Sequence, residues 1–264
     1  MLRSLYAGVT GMKNHQTKLD VIANNISNVN TAGFKASTVT FQDLMSQTIR
    51  NAVEADSDKG GVNPAQVGTG STIGSIETSF VQGPLQYTGR ALDLAIQGNG
   101  FFVVEDNEGK RYFTREGSFR FDSEGYLVNT NGFRVLGTNE KQVRITEAIN
   151  TVSVDKFGVL TAIDNQGDVI DQVELGIAFV TNPESLLKEG SNLYSVSTAT
   201  GDGTIDQAGQ DGRGTVEAFN LEMSNVDLSN EFANLITTQR GYQANARVIT
   251  VSDQILEELV NLKR

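Results

Sequence analysis

The chain has 264 residues, 38% of them hydrophobic and 20% charged, with 27 glycines. That is globular composition, long enough for one or two domains with buried cores. A net charge of −11 repels phosphate backbones and anionic lipid, and the absence of cysteine excludes disulfides and thiolate metal sites.

The chain opens on MLRSLYAGVTGMKNHQ, which lacks a continuous apolar core and a small-residue cleavage site and does not read as a secretory signal. Leu2, Leu5, Val9, Met12, Gln16, Leu19, Ala23 and Ile26 follow at alternating spacings of three and four, the seam of a coiled-coil-like helix. Gly8 and Gly11 each cost about 1 kcal/mol relative to alanine inside a helix. They mark a helix that is marginal alone or packed very closely near its start. The helix runs into ANNISNVNTAGFK (23–35), where Asn24, Asn25, Asn28 and Asn30 crowd one window. Asparagine competes for backbone hydrogen bonds and tolerates left-handed conformations, so it suits a helix exit. Gly33 then supplies a permissive turn, and Phe34 is an anchor for the departing chain.

KGGVNPAQVGTGST (59–72) is glycine-rich and polar, and reads as a linker or surface loop. The pattern then switches to a period of two. Between residues 100 and 137, turns at 106–109, 122–125 and 129–132 end in glycine and separate short strands. Further strands are predicted at Thr151–Val154, Val159–Ile163, Val169–Val173 and Gly176–Val180. A second flexible stretch, 198–215, precedes the C-terminal helix. There Phe232, Leu235, Gln239, Tyr242, Ala246, Ile249, Asp253, Leu256 and Val260 repeat the 3–4 spacing. Ile255, Leu259 and Leu262 add a second apolar stripe. Ser229 and Glu231 favour a helix start, and a span of 229–262 would be roughly 50 Å long.

The fold class expected is therefore α+β, with paired N- and C-terminal helices and a central antiparallel β domain. The domains expected are 1–30 with 226–264 as a terminal helical domain, 31–79 as a linker or hinge, and 80–225 as the β-rich domain.

No catalytic, cofactor or metal site is legible. Gly98-Asn99-Gly100 lacks the third glycine and following helix of a dinucleotide site. Asp202, Asp206 and Asp211 have the wrong spacing for an EF-hand. His15, the single histidine, has no second ligand type beside it, and Glu257-Glu258 reads as a solvated helix face. No apolar run approaches the ~20 residues that span a bilayer, so no membrane insertion is expected.

LDVIANNISNVNTAGFK (19–35) resembles the signature of the bacterial flagellar rod and hook protein family. Residues 221–264 look like that family's C-terminal end, and LDLAIQGNGFFVV (92–104) with 112–137 resembles its shared β domain. The resemblance covers nearly the whole chain. It implies a subunit that leaves through the flagellar type III export apparatus without a cleaved signal and polymerises into a hollow helical tube lined by the terminal helices. Within the family, GGVNPAQVGTG (60–70) and TQRGYQAN (238–245) are similar to the hook, a curved joint that carries torque from rod to filament. The alternative is the distal rod, a rigid drive shaft. The resemblance implies further copies of this chain, the distal rod protein, the hook–filament junction protein and the hook cap as partners, outside the cell in the flagellum. The residues expected at contacts between subunits are Leu2, Leu5, Val9, Met12, Leu19, Asn24, Asn25, Ile26, Asn28, Phe34, Phe232, Leu235, Tyr242, Ile249, Leu256 and Val260. The hinge expected lies in 46–75, at Gly60, Gly61, Gly68 and Gly70, with a second in 198–215.

Overall fold

The computed structural model describes residues 2–52, 54, 60–145, 151–163, 169–201 and 203–262. It divides into two compact units. One comprises Met1–Ser27, Ser37–Thr78 and Asp227–Arg264; the other comprises Asn28–Ala36 and Ser79–Val226.

The first unit holds the two long helices, α1 (Leu2–Ser27) and α2 (Leu228–Asn261). Its described strands are β1 (Ser37–Asp43), β2 (Ser46–Arg50), β3 (Ala65–Gly68) and β4 (Ser71–Thr78). Asp227, rather than Ser229, caps α2. Its carboxylate accepts the Ser229 N–H at 2.9 Å, a donor that helix geometry leaves unpaired, and the Asn230 side-chain amide at 2.7 Å.

The stretch 37–78, expected within a linker, instead forms two antiparallel ribbons, β1 with β4 and β2 with β3. Threonine, valine, isoleucine and phenylalanine in STVTFQD and STIGSIET favour strands, but the polar residues between them hide the pattern. A lone two-stranded ribbon is marginal in water. The β1–β4 ribbon gains support from α1: Asn14 donates to Ser71 Oγ at 2.9 Å, and the His15 ring meets Phe41 edge-on at 5.6 Å. Gly70, at φ +132°, passes α1 so closely that a Cβ there would collide with Thr10 Oγ1.

The second unit is antiparallel throughout its described strands. They are β5 (Leu85–Tyr87), β6 (Leu94–Gln97), β7 (Phe101–Glu105), β8 (Arg111–Thr114), β9 (Arg120–Phe121), β10 (Leu127–Val128) and β11 (Arg134–Val135), then β12 (Thr151–Val154), β13 (Val159–Ile163) and β14 (Val169–Glu174). The chain continues through β15 (Ile177–Phe179), β16 (Leu187–Gly190), β17 (Leu193–Ser195), β18 (Thr204–Asp206), β19 (Thr215–Ala218) and β20 (Asn220–Glu222). A nine-stranded sheet runs β16-β17-β8-β7-β11-β10-β9, with β15 joining β7 and β18 joining β15. A three-stranded sheet, β12-β13-β14, stands beside two ribbons, β6–β19 and β5–β20.

The run FFVV in β7 is buried on both faces, as a continuous apolar strand should be. Phe102 and Val104 enter one core cluster with Leu94, Ile96 and Phe119. Phe101 and Val103 enter another with Phe113 and Tyr194. The three turns predicted between residues 100 and 137 are present. Gly109, Gly125 and Gly132 have φ of 79°, 80° and 85°, and each donates its N–H back to the carbonyl of the first turn residue. The stretch 198–215 is tied down by Arg213, whose guanidinium donates to Ile177 O at 3.1 Å and to Thr204 O at 3.1 Å. Asp202 lies outside the described residues.

Candidate assembly surface

The helices of the first unit pair through a face that the apolar periodicity did not indicate. On α1 it runs Gly8, Gly11, His15, Lys18, Ile22 and Asn25, one position before the apolar seam. On α2 it runs Glu231, Asn234, Thr238, Gly241, Asn245, Val248 and Ser252, again one position off. A Cβ on Gly8 would lie 3.3 Å from Ile249 Cγ1, one on Gly11 would lie 2.8 Å from the Asn245 amide nitrogen, and one on Gly241 would lie 2.6 Å from the His15 ring. Lys18 and Ile22 share a small cleft with Glu231 and Asn234, and the Asn25 amide donates to Glu231 Oε1 at 3.4 Å. The helices are thus antiparallel and come together at small residues, which explains why two glycines are tolerated early in α1.

This pairing touches the apolar stripes at Ile249 and Val248 but leaves much of their area uncovered. Val9 is 39% exposed, Phe232 50% and Val260 67%. Leu5, Met12, Leu19, Ile26, Leu235, Tyr242, Ile249 and Leu256 are half-buried. Along the C-terminal half of α2, Val248, Val251, Ile255, Leu259 and Leu262 recur at spacings of three or four, all exposed. An apolar helix face of this length left in water marks a contact surface. Leu2 lies in α1, but its side chain is outside the described residues.

Two residues expected between subunits are engaged inside their own unit. Asn25 is 1% exposed; its amide donates to Ser37 O at 2.9 Å and accepts the Ser37 N–H at 3.0 Å, so it stands in for a strand partner. Phe34 is 3% exposed within the second unit, with Lys188 Nζ 4.2 Å from its ring centroid. Asn24 is exposed, and Asn28 is half-buried, accepting the Thr31 hydroxyl at 3.2 Å. Of the hinge glycines, Gly60 and Gly68 face open space, whereas Gly70 does not.

The segment 28–36 is locked into the second unit by a group of charges that sequence reasoning missed. Gly33, at φ +72°, lies against the Glu116 backbone, and its N–H donates to Glu222 O at 2.8 Å. Lys35 is fully buried: its Nζ donates to Glu222 Oε1 at 2.7 Å and to Val81 O at 2.9 Å. Arg115 Nη1 reaches Glu222 Oε2 at 3.2 Å, and the Gly83 N–H donates to Oε1 at 2.9 Å. Burial holds the Lys35 ammonium below the ordinary lysine value, and Glu222 opposes that shift. These residues are remote in sequence, so no spacing rule joins them. The one local signal is Lys35 itself, flanked by Phe34 and Ala36.

His15 is held below its ordinary value of 6.5 by burial and by Lys18, and its buried Nδ1 has no partner among the described residues. A folded state that binds its proton less readily loses stability as pH falls, so the first unit should weaken from about pH 6.5 downward. Gly241→Ala forces the ring aside, and the His15 titration, unambiguous by NMR in a one-histidine chain, should then move up toward 6.5. An unchanged titration would contradict this packing.

Among the described residues, no group of three His, Cys, Asp or Glu converges to hold a metal ion, and no helix is long and apolar enough to cross a membrane.

Three family models match the chain. The flagella basal body rod protein model matches residues 5–35, the flagellar hook protein FlgE/F/G D1 domain 95–162, and the flagellar basal body rod FlgEFG protein C-terminal model 218–262. The chain is 47% identical over 265 residues to the flagellar basal-body rod protein FlgG of Bacillus subtilis, covering all of both chains. It is 36% identical to the protein of that name from Buchnera aphidicola subsp. Baizongia pistaciae, over 98% of this chain and 99% of the relative. The flagellar hook protein FlgE of Borreliella burgdorferi is 27% identical in an alignment of 443 residues that covers all of both chains. The chain belongs to the flagellar rod and hook protein family. Membership places it in the bacterial flagellum as a structural subunit that self-assembles, in a family that is not enzymatic.

Proposed function

We propose that this chain is a rod subunit of the flagellar basal body, the distal drive shaft, rather than the hook that the sequence motifs suggested. The observation that carries this reading is length together with identity. The Bacillus subtilis rod protein is matched end to end at 47% over 265 residues, whereas the hook alignment stretches to 443 residues at 27%. The fold agrees. The stretch 46–75, a hinge candidate for a bending joint, carries β2, β3 and most of β4, and Gly70 is wedged against α1. The 198–215 stretch is bound by Arg213. A shaft that transmits torque without bending needs such restraint.

Assembly proceeds through the uncovered helix stripes, which close against further copies. Their flanks are complementary: α1 carries Arg3 and Lys13 against Asp20, and the last half of α2 carries Asp253, Glu257 and Glu258 against Arg247. A contact between unlike faces of successive copies propagates into an open helix. The hook cap and hook–filament junction partners belong to the hook reading and go with it. Type III export and contact with the hook at the shaft's outer end remain part of this proposal. Charge repulsion from −11 per copy makes assembly easier at higher salt.

The test is electron microscopy of the purified protein after addition of a precipitating salt. Straight, stiff tubes are expected. Curved tubes would return the chain to the hook, and compact particles under all conditions would count against self-assembly.

A further inference from the structure

The second unit holds a cavity of about 140 Å³ walled by Phe80, Phe101 and Phe179, with Arg115 in its lining and the exposed Asn99 and Thr181 also bordering it. Arg115 is 3% exposed. Its Nη1 serves Glu222 and Ile96 O, and its Nη2 donates to Gly98 O at 2.8 Å. Its buried Nε–H has no partner among the described residues. A buried N–H left unpaired costs free energy that a ligand acceptor recovers.

The charges in this region do not balance. Lys35 and Arg115 are two cations withdrawn from water, and among the described residues Glu222 is the only carboxylate paired with either. A buried charge without a counter-charge is costly. A carboxylate answers both needs: it neutralises the excess cation, and its planar oxygens suit a guanidinium edge. An uncharged carbonyl would meet only the first hydrogen bond.

We propose that this cavity binds a carboxylate and that, in the polymer, an Asp or Glu side chain of a second copy fills it. The second half of this statement rests on the self-assembly reading. Carboxylates are the abundant charged group on a second copy, with 32 Asp and Glu against 21 Lys and Arg.

The probe is sodium formate, titrated into the monomer against sodium chloride at equal ionic strength while the Arg115 Nε–H resonance is followed by NMR. A saturable, formate-specific shift is expected. In Thr181→Trp, where an indole at an exposed position covers the opening, the affinity should fall about tenfold, because the ring competes with formate for the mouth while Arg115 stays in place. No formate-dependent shift in the unaltered chain would overturn the site. In the assembly arm, Thr181→Trp should raise the critical concentration by about the same factor. If formate binds but Thr181→Trp assembles at the unaltered concentration, a second copy is not the occupant and the site is one for a free small carboxylate. If the unaltered chain never assembles, the rod reading fails while the formate result stands by itself.

Discussion

Glu222→Leu should destabilise the second unit by about 3–5 kcal/mol, because it leaves the Lys35 ammonium and the Arg115 guanidinium buried without an anion. Against a total stability of roughly 5–15 kcal/mol this is a large fraction, and the thermal midpoint should drop by about 10 °C. The effect is one of broken pairing, not of charge as such. Replacing all three groups by apolar residues of similar size, Lys35→Met, Arg115→Met and Glu222→Leu together, should restore most of the loss, since a buried ionic cluster is no more stable than a well-packed apolar one of similar volume. Circular dichroism melts of the single and triple variants check this. A single variant that melts like the unaltered chain would show that the triad is not desolvated as described. The arrangement also has a consequence for folding. Lys35 lies near one end of the chain and Glu222 near the other, so the cations find their partner only when residues 33–35 and 220–222 come together on Gly83 and Arg115.

The second large effect concerns assembly. Ile255 is 44% exposed on α2, between Val251 and Leu259. Ile255→Glu places a carboxylate in the middle of this stripe at little cost to the monomer, where the side chain is exposed. In the polymer the same carboxylate is buried without a partner. A penalty of ~3 kcal/mol corresponds to about a hundredfold rise in the critical concentration. Sedimentation across a concentration series reads it. Assembly at the unaltered concentration would remove this stripe from the contact.

Much of this architecture was legible in the sequence, for physical reasons that differ by element. The hairpins between residues 100 and 137 announced themselves because a left-handed turn residue is usually glycine, and the strand that leads into the first turn, FFVV, is apolar enough to be buried on both faces. The terminal helices showed in their 3–4 repeat. What the repeat misplaced was the pairing face. Apolar periodicity finds where a helix is hydrophobic, but α1 and α2 meet where they are small, at Gly8, Gly11 and Gly241. The apolar stripes stay exposed or half-buried beside that contact. The ribbons between Ser37 and Thr78 were hidden because their serines, threonines and glycines read as loop residues, and the β1–β4 ribbon is supported by packing on α1. Asn25 and Phe34, expected at contacts between copies, are each buried within their own unit. Lys35 was passed over because a lysine after a turn is ordinarily solvated; only the fold reveals Glu222 and Arg115 around it.

The most direct measurement of the account's central claim uses the absence of native cysteine. A single cysteine at position 255, or at the exposed turn position Glu108, can be labelled with a soluble maleimide in the monomer and in the salt-induced polymer. Ile255→Cys should label readily in the monomer and be protected in the polymer, with Glu108→Cys reactive in both. Equal reactivity of Ile255→Cys in the two states would contradict assembly through the apolar stripe of the C-terminal helix.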